Sequence, residues 1–159
     1  MDKALALSRV AIGAIFVFAS WDKILHPVEF ADAVMGYRIL PAELVTMVAT
    51  VLPWLELLLG LCLVLGFLSA SAAAWASLLS FGFLAGKTSV VVRGLDVSCG
   101  CFSVDGASSI SWGDLPANLL LLTVSVWVWV RGPGSLAFDR YLFEPETQAA
   151  SVQRGDVVP

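Results

Sequence analysis

Apolar and polar positions in this chain separate into long blocks. Four apolar runs stand out: 4–21, 44–68, 70–86 and a last one closing at Val130. As a helix the second would be roughly 37 Å long, enough to cross bilayer hydrocarbon with some tilt. The third extends to Val92 if Lys87 snorkels its ammonium toward the interface. Only Ser69 and its neighbours part the second and third runs, which predicts a tight antiparallel hairpin. The fourth opens on Ser111-Trp112-Gly113-Asp114, spaced as a capping box in which the Asp114 carboxylate reaches back to the Ser111 N–H. Pro116 falls in the first turn, where a missing N–H costs little. The run stops at Arg131-Gly132-Pro133-Gly134.

The first run could be a signal peptide, because Val17-Phe18-Ala19 resembles a small-residue cleavage site. Its weakly basic start and the three apolar runs that follow favour a retained helix. Residues 22–43 mix charges with Pro27, Gly36 and Pro41, and predict a short amphipathic helix around 28–37 lying at the surface. Along the third run Ala72, Ala76 and Ser80 recur at spacing four, as do Ala73 and Ser77; such ridges let helices approach closely in lipid. The expected fold is all-α: a four-helix membrane bundle, with a Cys-Gly-Cys loop between helices three and four. Residues 1–143 form the single domain, and the polar segment 144–159 is expected to be disordered.

Composition sharpens the membrane reading. Hydrophobic residues make up 58% of 159, charged ones only 14%, and mean hydropathy is +0.87. A chain this short cannot hide that much apolar surface from water, so lipid is its solvent. The net charge of -4 and the absence of a basic stripe argue against nucleic acid. With four spans both termini share one side. Lysines and arginines divide five against four between the two sides, which barely orients the bundle. An oxidising compartment suits a working thiol pair, which places the loop on the outer face of a bacterial-type inner membrane and both termini in the cytoplasm.

Three cysteines are too few for a disulfide framework or a four-thiolate metal site, and no metal is assigned. Two of them form Cys99-Gly100-Cys101. Such a pair can close a small strained disulfide, which the intervening Gly100 eases, and strained exposed disulfides tend to be labile or catalytic. It could instead bind a soft metal with two further ligands, or be inert. A turn-rich loop favours the redox pair: Gly94 precedes it, and Arg93, six residues upstream of Cys99, can stabilise a thiolate that Asp96 and Asp105 oppose.

Glu56 sits near the middle of the second span, where a carboxylate is costly and must be neutral or paired. The functional options are a proton relay or a quinone contact. The structural option is a buried pair with Arg9 of the first helix. Pro53 and Gly60 share the face of Glu56. Trp112 could line a pocket near the thiol loop. Lys23 is expected as an interfacial anchor and Cys62 as a small core residue, while His26 receives no role.

Taken together, Arg9, Gly13, Phe16, Asp22-Lys23, Phe30, Tyr37, Leu40-Pro41, Leu52-Pro53-Trp54-Leu55-Glu56, Gly60 and Gly66 resemble the MauE branch of the DoxX-like membrane superfamily. The resemblance is strongest at Arg93-Gly94, Cys99-Gly100-Cys101-Phe102 and Ile110-Ser111-Trp112-Gly113, and covers residues 4–130. Ser103 stands where that family usually has glycine. The resemblance implies a four-helix membrane protein acting beside a thioredoxin-fold partner in methylamine dehydrogenase maturation, with Cys99 and Cys101 passing electrons. DoxX relatives further imply a membrane oxidoreductase complex and quinone reduction. The expected function is therefore a membrane thiol–disulfide oxidoreductase, with a quinone as the cofactor to look for. Two rivals stay open: a non-catalytic anchor or assembly subunit, and a small transporter built around Glu56.

Overall fold

The computed structural model describes residues 2–95, 97 and 112–131. Ser111, Cys99, Gly100, Cys101 and the segment 144–159 lie outside the described residues. Among the described residues all regular structure is helical. The long helices are α1 (Asp2–Leu25), α3 (Ala42–Leu65), α4 (Ser69–Val92) and α5 (Leu115–Arg131); α2 (Pro27–Gly36) is short. The segments Lys3–Leu25, Ala42–Leu65, Ser69–Val92 and Trp112–Arg131 are each long and apolar enough to span a membrane. The chain is thus a multi-pass membrane protein in which large apolar side chains such as Phe18, Leu58, Phe81 and Leu120 face outward.

Each long helix turns a narrow stripe inward. On α1 it runs Arg9, Gly13, Phe16, Ser20, Lys23; on α4, Ser69, Ala73, Ala76, Ser80, Lys87, Val90. These spacings of three and four place small and polar residues at the seam between helices, where they permit close packing in lipid. The core joins Leu5, Ile12 and Phe16 to Leu59, Leu63, Ala72, Ala76 and Val128, with Cys62 half-buried against it. The helices close a ring in the order α1, α3, α4, α5, with α1–α3 and α4–α5 the more extensive interfaces.

Local chemistry sets the helix ends. Gly66, at φ 75°, ends α3, and the Gly66 and Phe67 amides both donate to the Cys62 carbonyl, turning the chain into α4 within three residues. Pro27 opens α2 and Pro116 lies in the first turn of α5, both at positions where the absent N–H is no loss. A single 3-10 turn, Trp112–Asp114, leads into α5. The surface helix α2 buries Phe30 and Ala33 and lies against α3.

Candidate functional site

The α1–α3 contact sets the site's register. A Cβ at Gly13 would lie 2.7 Å from the Gly60 carbonyl oxygen, and one at Gly60 would lie 2.8 Å from that of Gly13. The helices run antiparallel through this backbone contact. Arg9 lies one turn to one side of it and Glu56 one turn to the other. Because helical side chains lean toward their own N-termini, these two lean apart. The expected Arg9–Glu56 pair is therefore replaced. Lys23 Nζ, one turn beyond Ser20, donates to Glu56 Oε2 at 2.6 Å. Arg9 is itself buried, at the far side of the crossing.

Lys23 is thus no interfacial anchor. Its side chain is 2% exposed and that of Glu56 1%. The ammonium also lies 5.4 Å from the Phe30 ring centroid and 5.1 Å from that of Phe83, so carboxylate and aromatic faces share its charge. Desolvating two charges is expensive, and a 2.6 Å contact offsets it only while both partners remain. Two stretches that carry the family resemblance, Asp22-Lys23 and Leu52–Glu56, meet in this pair.

On one side of Lys23 opens a cavity of about 280 Å³ between α2, α3 and α4. Its walls are almost wholly apolar, among them Val34, Leu52, Leu79 and Phe83, and among the described residues Lys23 is their only charged side chain. Tyr37 and Gly86 meet at one wall, where a Cβ on Gly86 would lie 3.2 Å from the Tyr37 ring. A second cavity of about 30 Å³ lies between Lys23, Glu56, Phe83 and Asn118. The ion pair thus stands between two spaces.

The larger cavity belongs to the end of the bundle where α1 and α4 finish and α3 and α5 begin. Arg93, following α4, donates through Nη1 to the Tyr37 carbonyl at 3.1 Å and the Arg38 carbonyl at 3.5 Å. Gly94 adopts φ 61°, a conformation that glycine permits without strain. A Cβ on Gly36 would lie 2.8 Å from Val97, so the chain after α4 passes against the end of α2. Arg93 and Gly94 thus stand at the C-terminal end of α4, with Arg93 tied to the segment after α2; the thiol loop they were expected to support lies outside the described residues. Trp112 is 67% exposed at the start of the last span and lines neither cavity. Asn118 did not emerge from the sequence, and Lys87, expected to snorkel toward the interface, is instead buried and donates to Asn118 Oδ1 at 3.4 Å. Their place on the three-and-four stripes of α5 and α4 is the signal that would have found them.

The family model for methylamine utilisation protein MauE matches residues 1–131. The chain belongs to the MauE family. A methylamine utilization protein MauE of Paracoccus denitrificans is 33% identical over 129 residues, covering 80% of this chain and 69% of that one. No solved structure matches. The MauE match takes in every element from α1 to α5, and so includes the Lys23–Glu56 pair and both cavities.

Proposed function

We propose that this MauE-family chain is a membrane thiol–disulfide oxidoreductase serving methylamine utilisation, with Cys99 and Cys101 as its exchanging thiols and a membrane quinone as their redox partner. The observation that supports this most is positional. The segment carrying Cys99-Gly100-Cys101 leaves the bundle beside Val97 and Tyr37 and returns at Trp112, the end where the apolar cavity holds a single buried ammonium. A mostly apolar chamber bordered by the Lys23 ammonium and by Tyr37 suits a molecule that is hydrophobic apart from a carbonyl oxygen.

In one direction, a thiolate of a thioredoxin-fold partner attacks one sulfur of the Cys99–Cys101 disulfide. The mixed disulfide resolves when the partner's second thiolate displaces the Cys sulfur, leaving the partner oxidised and Cys99 and Cys101 as thiols. Those two thiols then give two electrons and two protons to the quinone, forming quinol and restoring the disulfide. Lys23 would hydrogen-bond the quinone carbonyl and stabilise charge developing on it, while Glu56 holds Lys23 in place. The reverse direction uses the same steps. The loop would face the outer side of the inner membrane, with both termini in the cytoplasm. A non-catalytic anchoring role for a larger oxidoreductase is the second reading, favoured by α5, the least covered of the four spans.

The test is thiol trapping of the purified protein in nanodiscs across a glutathione redox series, with Cys62 as internal control, followed by addition of a short-chain quinone. Defined cycling of Cys99 and Cys101, reoxidised by quinone in the wild type and not in Lys23→Met, is the expected result. Thiols that stay reduced throughout, or become reactive only after a chelator is added, would favour the anchoring role or a metal site.

A further inference from the structure

Of the buried polar atoms with no hydrogen-bond partner among the described residues, two belong to residues that line one cavity: Glu56 Oε1 and Asn118 Nδ2. Glu56 is 1% exposed and Asn118 9%. Both residues line the same small cavity, together with Phe16, Phe83 and Leu121. A buried carboxylate oxygen or amide left unsatisfied costs about the desolvation of that group, so such atoms in native proteins are met by protein or by ordered water.

The chemistry at the cavity names its occupant. Lys87 Nζ faces Asn118 Oδ1 at 3.4 Å. An ammonium only donates, so the amide atom turned to Lys87 must be oxygen, and Nδ2 is the atom left for the cavity. The space therefore offers one acceptor, Glu56 Oε1, and one donor, Asn118 Nδ2. A metal cation or an ammonium would meet the Asn118 N–H and the Lys23 charge, both of which repel it. A molecule that donates to one side and accepts from the other fits both. At about 30 Å³ the cavity has room for one water or two.

We infer that an ordered water occupies this cavity, donating to Glu56 Oε1 and accepting from Asn118 Nδ2. It joins the Lys23–Glu56 pair to the Asn118–Lys87 pair and ties α1 and α3 to α4 and α5 through the bundle interior. Asn118 is a positioning residue that holds the water, and Lys87 fixes the amide that does so. The consequence is functional. Lys23 borders both cavities, so this water gives the ion pair a place to exchange protons on the side away from the apolar chamber. A dry pair would be proton-isolated.

Water-edited solid-state NMR on the full, isotope-labelled chain in liposomes tests this without using thiols or quinone, so its failure and a failure of the redox reading are separate results. Magnetisation should pass from water to Glu56 Cδ and Asn118 Nδ2 in the wild type. Asn118→Leu, which fills the space with an apolar group, should remove the transfer at Glu56 and slow exchange of the Lys23 ammonium protons by roughly tenfold, a barrier rise of about 1.4 kcal/mol. Asn118→Ser, which keeps a hydrogen-bonding group and leaves more room, should retain both signals. No transfer at Glu56 in the wild type overturns the inference whether or not Asn118→Leu folds, as does an Asn118→Leu protein whose transfer and exchange match the wild type.

Discussion

At the Gly13–Gly60 crossing the backbones of α1 and α3 touch, whereas two to three turns further along α1, at Lys23, the same interface encloses charge and borders open space. The first region is held by the absence of side chains: any Cβ there meets a carbonyl. The second is held by two charges that each make the other tolerable. The contrast shows how one pair of helices can be rigid at one level and hollow at the next. Close approach at the glycines sets the register, and that register brings Lys23 opposite Glu56.

Breaking the charged region should have the largest effect. Glu56→Gln strands the Lys23 ammonium in a buried site and should destabilise the bundle by roughly 3–5 kcal/mol, measured by denaturant unfolding in bicelles. Lys23→Met should cost a similar amount, and combining Lys23→Met with Glu56→Leu should recover much of it. Additive losses in that double variant would mean that the two charges are not a pair.

Breaking the packed region comes next. Gly60→Ala drives a methyl into the Gly13 carbonyl and should cost about 1–3 kcal/mol by the same assay. Phe83→Leu keeps the bulk near Lys23 but removes one aromatic face, and should cost about 1 kcal/mol, visible as a lowered Tm. The smallest effect sharpens the comparison by reversing sign. Gly82 lines the larger cavity, and a Cβ there would meet nothing within 4 Å. Gly82→Ala should therefore stabilise α4 by about 0.5–1 kcal/mol while Gly60→Ala destabilises α3. Equal effects at the two glycines would mean that the two regions are packed alike.

Much of this architecture was legible in the sequence because lipid imposes a coarse code. Runs long enough to span, a hairpin break around Ser69, a short surface helix near Pro27 and a mid-span carboxylate are each local signals. Glu56 announced itself because a lone charge in an apolar run is improbable without a partner. Lys23 did not, because a lysine beside Asp22 near a helix end has the same local pattern whether it faces headgroups or the bundle interior. The inward stripe from Arg9 through Gly13, Phe16 and Ser20 to Lys23 is the pattern that distinguishes these cases, and it is visible once the helix is read by face rather than by hydropathy.

By itself the sequence determined the solvent of this protein and the number of its long helices. Both follow from chain composition over stretches the width of a bilayer. Only the tertiary structure decided that Glu56 is partnered by Lys23 rather than Arg9, that α2 roofs an apolar chamber, and that Asn118 and Glu56 face one small cavity. The physical reason is register. Which charges meet depends on how far two antiparallel helices slide past one another, and that is settled by where their backbones can touch, at Gly13 and Gly60.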